Sequence, residues 1–487
     1  MASVDVTKPI SQYNRELSPN ELETLKKEAE DWACAHGLVM YSKQTLKLVH
    51  APTTLVPYPF PKKLFDQAWS VMPIFNTLVQ KISNDPAFIL EALKEIDVNE
   101  DPFTGSLLNI MKTVMKEGVR QPVQLGIHRS DYMLDYGTEL SIKQVELNTI
   151  AASLGQISYL VGHLHKYLLD RIGIPGYSSS HIPKNENFTE FPRAFHTAWQ
   201  LFEERHNNNK HTSVVVMVVH ANEFNVFDQR WLEYNLWEKY HVKTIRRSLE
   251  DINERATLDS NNNLILDGHV VAIMYFRAGY APDDYPTEKE WGARLLLERS
   301  TAIKCPSIQY HLAGSKKIQQ VLANPGILEK FLPLPECQAL RATFAGLYSL
   351  DIQEERIDDI IKKAIATPHD FVMKPQREGG GNNLFDNNLR DALIDFSPKK
   401  RAGYILMDRI RFPSLKTFML RESSILPSTA ACEIGIYGVF VGEGDKEYLN
   451  HTTGWLMRTK IASMDEGGVA VGIAVLDSPY LVETDQL

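Results

Sequence analysis

The chain has 487 residues, 44% of them hydrophobic and 23% charged, and a net charge of −9. That length predicts two to four subdomains, while the acidic balance argues against a nucleic-acid surface. Four scattered cysteines with no Cys-x-x-Cys pair argue against zinc or a disulfide framework, and no apolar run is long enough to span a bilayer, so a cytoplasmic protein with reduced thiols is expected.

Ser18-Pro19-Asn20-Glu21 is a capping box with proline at the first helical position, after which Leu22, Leu25, Ala29 and Trp32 share a face as far as Gly37. Helical segments follow over Phe65–Asn76 and Leu107–Lys116, so the first 120 residues are expected to be helical packing without chemistry. From Gln124 the period changes. Gln144, Glu146 and Asn148 alternate with Lys143, Val145 and Leu147, the mark of a strand. Glu146 and Asn148 then share a face, two oxygen donors about 7 Å apart that suit Mg²⁺. Arg129 and Ser153 stand at the ends of this hairpin. His163 and His165 diverge on a helix and are read as structural.

Val214–Val219, a helix bearing Trp and Leu, and Val242–Ser248 form a βαβ unit. Ligands bind at the carboxyl ends of such strands, which makes Glu223, Asn225 and Gln229 candidates. Asn261–Gly268 reads as a turn before the Val270–Phe276 strand, which runs into Arg277, whose planar fork suits a carboxylate. Ala313-Gly314-Ser315 then places Lys316 and Lys317 at a helix start.

Phe371-Val372-Met373 is a short strand that Pro375 ends, and the loop Lys374-Pro375-Gln376-Arg377-Glu378-Gly379-Gly380-Gly381-Asn382-Asn383 follows. Three glycines leave amide groups free to close on an anion, and a carboxylate beside a phosphate cradle points to Mg²⁺ between them. The spacing is neither a Walker A loop nor a Rossmann fingerprint, so another nucleotide fold is implied. Tyr404–Ile410 and Ala431–Phe440 are further strands; Arg458 and Lys460 share one strand face, ahead of a second loop at Asp465-Glu466-Gly467-Gly468-Val469-Ala470. The carboxyl third reads as antiparallel sheet carrying two glycine loops.

Together these motifs resemble the eukaryotic glutathione synthetases, a family of ATP-grasp ligases, over most of the chain from Gln124 onward. The resemblance implies an α/β ATP-grasp fold with a helical N-terminal part (1–211), an inserted parallel substrate-binding domain (212–318) and a C-terminal region carrying two lid loops (319–487). Glu146, Asn148 and Glu378 would hold Mg²⁺, two ions per site, and Lys316, Lys374 and Lys460 would meet the phosphates of ATP, with Lys374–Asn383, Phe385 and Glu466 around them. Met407, Asp408, Arg409, Ile410 and Glu433 would line the adenine and ribose pocket. Arg129, Ile150, Ala151, Ala152, Ser153, Glu223, Phe224, Asn225, Gln229, Arg277, Ala278, Gly279 and Tyr280 would form the dipeptide site, with Arg458, Val469 and Ala470 near substrate as well. Three positions depart from the family pattern: Ala151 where serine is usual, Phe385 where tyrosine is usual and Glu466 where aspartate is usual. Loss of one serine hydrogen bond costs about 1 kcal/mol and changes affinity before it changes reaction.

The implied chemistry phosphorylates the cysteinyl carboxylate of γ-glutamylcysteine with ATP, after which the amine of glycine attacks the acyl phosphate. Such a transfer needs positioning and charge neutralisation more than a nucleophile, roles for Lys316, Lys374 and Arg458. Two alternatives stand beside it: a homoglutathione-type or other ATP-grasp carboxylate-amine ligase, and a non-catalytic nucleotide-binding protein, which the presence of both Glu146 and Glu378 disfavours. A homodimer is the family expectation.

Overall fold

Among the described residues the chain forms three sheets of four or more strands. The computed structural model describes residues 17–483 apart from 43–44, 138, 174–176, 207–209, 211, 221–222, 352–356, 379, 466 and 470–471. The chain opens with helices α1 (Pro19–Ala35), α2 (Lys62–Ser83) and α3 (Pro102–Glu117). At the head of α1 the capping box forms: Ser18 Oγ accepts from the Glu21 amide and the Glu21 carboxylate accepts from the Ser18 amide. Leu25, Ala29 and Ala33 are the buried face.

Strands β1 (Val123–Tyr136) and β2 (Leu140–Asn148) form the expected hairpin. Its pairing slips by one residue, since Asp131 faces Glu146 while Tyr132 faces Gln144, which leaves Val145 as a bulge. Neighbours Asp131 and Tyr132 point to opposite sheet faces, so their partners do too. Glu146 and Asn148 share a face as expected. Gln144 does not share it; it is buried on the other face and donates to Ser130 Oγ.

Helices α4 (Gly155–Ile172) and α5 (Asn187–His206) lead into the parallel layer. There β3 (Val214–Val218), α6 (Val226–Tyr240) and β4 (Thr244–Arg247) make the βαβ unit, and β5 (His269–Phe276) and β6 (Ile303–Cys305) extend it in parallel to the order β4-β3-β5-β6. Every residue of β3 is buried, as a strand covered on both faces requires. The expected turn at 261–268 instead holds a short strand, Leu264–Leu266, because its two leucines insert into the core and its backbone pairs antiparallel with the start of β5.

After helix α7 (Lys316–Ala323), a four-stranded antiparallel sheet contains β7 (Phe371–Pro375) and β8 (Tyr404–Asp408), flanked by Leu384–Phe385 and Leu347–Ser349. It packs on its own apolar cluster of Leu350, Phe371, Met373, Leu389, Leu393 and Leu406. The long strands β9 (Ser424–Glu443) and β10 (Lys446–Ile461) belong elsewhere: β9 pairs with both β10 and β1 in a seven-stranded sheet. The carboxyl third is therefore divided between two sheets rather than forming one. Each carries one of the loops.

Candidate active site

Between the β1–β2–β9–β10 face and the small sheet lies a cavity of about 550 Å³, within the range of small-molecule sites. Lys316, the first residue of α7, extends its ammonium between two carboxylates, 3.0 Å from Glu146 and 2.9 Å from Glu378. The α7 N-cap Ser315 and the next residue, Lys317, fix this helix end. Lys317 donates its amide to Gln376 Oε1 and its ammonium to Ser349 and Asp351. Burial alone would raise the Glu146 carboxyl, but Lys316, Lys374 and Arg458 hold it well below the usual range. Glu378 moves the other way, raised by burial and by Glu146 beside it. Lys374 Nζ donates to the carbonyl of the bulged Val145 at 2.8 Å, on the edge strand of the seven-stranded sheet. Asn148 donates its amide to Asp131 and to the Arg129 carbonyl, leaving its side-chain oxygen for a ligand.

The glycine loop is anchored by a long-range contact that no local pattern marks. Arg377 reaches back to Asp101, the N-cap of α3, at 2.8 Å and lies over Phe103, so the helical first part does contribute to the site. Gly380 and Gly381 take φ of 71° and 78°, the left-handed region that side chains resist. In the second loop Lys460 Nζ donates to the Asp465 carbonyl at 2.6 Å, and Arg409 joins the loops by pairing with Asp386 at 3.0 Å and Asp465 at 2.7 Å. Arg458 pairs with Asp131 and Glu433, and burial raises the Glu433 carboxyl. Val372, Met407, Phe412, Met464 and Ile473 give the cavity an apolar wall.

Outside the cavity lining, behind Tyr280, Arg277 donates through one nitrogen to a carboxylate of the chain itself, Asp228, at 3.1 Å. Asp228 also accepts from the amides of Leu154 and Gln156, so it caps α4 as well. Asp284 clasps the Arg277–Tyr280 turn through the amides of Gly279, Tyr280 and Ala281. Glu223 accepts from the Asn225 amide and the Gln229 side chain, and Gln229 in turn accepts from Arg246. Among the described residues the buried Asn225 Oδ1, an acceptor, and Arg277 Nε, a donor, have no partner.

The cavity lining brings together Arg129, Glu146, Asn148, Ile150, Ala151, Ser153, Tyr280, Lys316, Lys374, Arg377, Glu378, Gly380, Gly381, Asn382, Asn383, Phe385, Met407, Asp408, Arg409, Ile410, Glu433, Arg458, Lys460 and Val469. Pro375, Gln376, Ala152, Glu223, Phe224, Asn225, Gln229, Arg277, Ala278 and Gly279 stand outside it. Gln376 serves Lys317, and Ala152 is packed into the core. Gly379, Glu466 and Ala470 lie outside the described residues. Asp131, Asp101, Asp228 and Arg246 were missed. Asp131 alone had a local signal, since Arg129 and Asp131 are two apart on one strand and so must share a face. Of the two histidines, His165 is a core residue bonded to Thr54 and Ser478. Among the described residues no group of three or more His, Cys, Asp or Glu side chains is placed to hold a metal, and no helix is long and apolar enough to cross a membrane.

The chain matches the family model described as eukaryotic glutathione synthase, ATP binding domain, over residues 19–481. It is 44% identical over 482 residues to a glutathione synthetase of Dictyostelium discoideum, covering 95% of this chain and 99% of that protein. A chloroplastic glutathione synthetase of Solanum lycopersicum is 42% identical over 492 residues, with 98% and 87% covered. Among solved structures, a glutathione synthetase-like effector from Globodera pallida in its apo form superposes with a TM-score of 0.77 at 26% identity, covering 96% of this chain and 98% of that one.

Proposed function

Since this chain belongs to the eukaryotic glutathione synthase family, we propose that its cavity joins γ-glutamylcysteine to glycine, with ATP supplying an acyl phosphate on the cysteinyl carboxylate. The chain is an ATP-dependent carboxylate-amine ligase with the ATP-grasp fold and makes glutathione. One observation carries the assignment of roles: Lys316, Lys374, Lys460 and Arg458 converge with Glu146, Asn148 and Glu378 on one cavity.

Mg²⁺ is part of this reading, and the donors fit it. Two carboxylates already share a cation, the Lys316 ammonium, and the Asn148 oxygen stands on the same strand face. Glu146, Asn148 and Glu378 would hold the metal, which neutralises phosphate charge when bound. The lysines bind the phosphates and place the transferred group, while Arg458 offsets the negative charge that develops on it. The two loops exclude water that would hydrolyse the acyl phosphate.

We assign the γ-glutamyl end to Arg129, Ser153, Asn225, Gln229, Arg277 and Tyr280. The unpartnered Asn225 acceptor and Arg277 donor match the ammonium and carboxylate of an amino acid, which supports this end of the reading. The division at 211 and 318, a homodimer and a cytoplasmic location are part of the same proposal. Incubation with ATP, Mg²⁺, γ-glutamylcysteine and an equal mixture of glycine and β-alanine, with products identified by mass, tests it. Glutathione and ADP are expected, with glycine favoured about ten- to two-hundredfold in kcat/KM, the discrimination that one methylene allows. An excess of the β-alanine product reassigns the chain to the homoglutathione type, and absence of ADP overturns the reading.

A further inference from the structure

Asp131 on β1 is 0% exposed and has no part in the reaction described above. Its carboxylate takes four hydrogen bonds. Oδ1 accepts from Arg129 Nε at 2.6 Å, and Oδ2 accepts from Arg129 Nη2 at 2.9 Å, Arg458 Nη2 at 2.9 Å and Asn148 Nδ2 at 3.1 Å. The donors come from three strands, β1, β2 and β10, and serve three ends: Arg129 the dipeptide, Asn148 the metal, Arg458 the transferred group. The neighbouring strand β9 makes room for this junction. Gly435 faces Asp131 in the register, and a Cβ there would lie 2.5 Å from Asp131 Oδ1 and 2.6 Å from Arg129 Cδ.

We propose that Asp131 is a positioning residue that sets Arg129, Arg458 and the Asn148 amide at once, and so ties the amino-acid end of the cavity to its phosphate end. The inference rests on the roles given above to those three residues. A buried carboxylate between two guanidiniums neutralises them and fixes their planes. Without its charge the two cations repel, Arg458 is left with Glu433, and the Asn148 amide loses the charged acceptor that keeps its oxygen turned toward the cavity.

Asp131→Asn in the full chain, nearly isosteric and uncharged, is the test. The expected result is a fall of about 100-fold in kcat/KM for γ-glutamylcysteine, the scale of a small misplacement of reacting groups. The fall should divide between a raised dipeptide KM and a lowered kcat, with more Mg²⁺ needed for half-maximal rate and the KM for ATP unchanged. A drop in kcat alone, with every KM and the Mg²⁺ requirement at wild-type values, is what a smaller folded fraction produces, and it overturns the proposal. If Asp131→Asn does not fold, Gly435→Ala keeps the charge and presses a methyl on Asp131 and Arg129 from behind. It should give the same pattern at smaller amplitude, and wild-type kinetics there overturn the proposal. Wild-type protein assayed beside them separates the two readings: failure to form glutathione defeats the assigned function, whereas a wild-type-like Asp131→Asn defeats this inference alone.

Discussion

At the phosphate end of the cavity, Lys316 lies between Glu146 and Glu378, and Lys374 rests on a backbone carbonyl. Beside the amino-acid end, outside the cavity lining, Arg277 pairs through one nitrogen with Asp228, which also caps α4, and the turn after Arg277 is clasped by Asp284. The Lys316 contacts join side chains to one another across the cavity, so an incoming metal or phosphate replaces like with like. The second set joins side chains to the scaffold, and a ligand adds to it. One end of this site is exchangeable and the other is built in. Charge variants should therefore cost rate at the first end and stability at the second.

Arg277→Ala is the strongest way to break that contrast. It strands Asp228, 2% exposed, and losing one partner of a buried pair costs about 3 to 5 kcal/mol. The backbone amides that still hold Asp228 place the loss near 3 kcal/mol. Urea unfolding should show it; an unchanged midpoint would mean that the amino-acid end is no more built in than the other.

Glu378→Gln should leave the unfolding midpoint in place and lower kcat by about 100- to 1,000-fold, the scale of one preorganised electrostatic contact. Wild-type turnover with an unchanged Mg²⁺ requirement would remove Glu378 from the metal. A smaller effect is expected for Gly380→Val, where a β-branched residue is forced to a φ of 71° at a strain of about 1 to 3 kcal/mol. ATP turnover should fall five- to a hundredfold on that scale, and normal turnover would make the loop a linker.

The last test reads stability against pH and concerns Val475–Asp477, the strand that follows the second loop. Burial raises the Asp477 carboxyl to about 7 from 3.8, against hydrogen bonds from Thr459, Thr54 and the Ser478 and Tyr58 amides that lower it. The folded chain thus holds this proton more tightly than the unfolded chain does. The stability it supplies is complete below about pH 4 and is lost as pH rises through about 7. Relative to wild type, the Tm of Asp477→Asn should climb across that window and level off above it; a flat difference would show Asp477 ionised throughout.

What the sequence disclosed followed the range of the interactions. The Ser18 capping box, the strand ending at Pro375, the Glu146–Asn148 face and the Arg458–Lys460 face depend on neighbours within four residues, and they were legible. Asp101 under Arg377, Asp228 under Arg277 and the division of the carboxyl third between two sheets depend on contacts between distant segments, which no local period encodes. Gln144 was placed on the wrong face for another reason. A bulge breaks the period on which the reading relied, and nothing in the composition of 140–148 marks where.

Ile142 and Leu147 are five residues apart and both lie in the core, although strict alternation would send them to opposite sides. Val145 is the extra beat that brings them back into step. Deleting it would give an unbroken strand with both residues still inside and Glu146 and Asn148 still over the cavity, and the Val145 carbonyl that steadies Lys374 would go with it. At position 145 any side chain that suits a strand should serve, because the task belongs to the main chain.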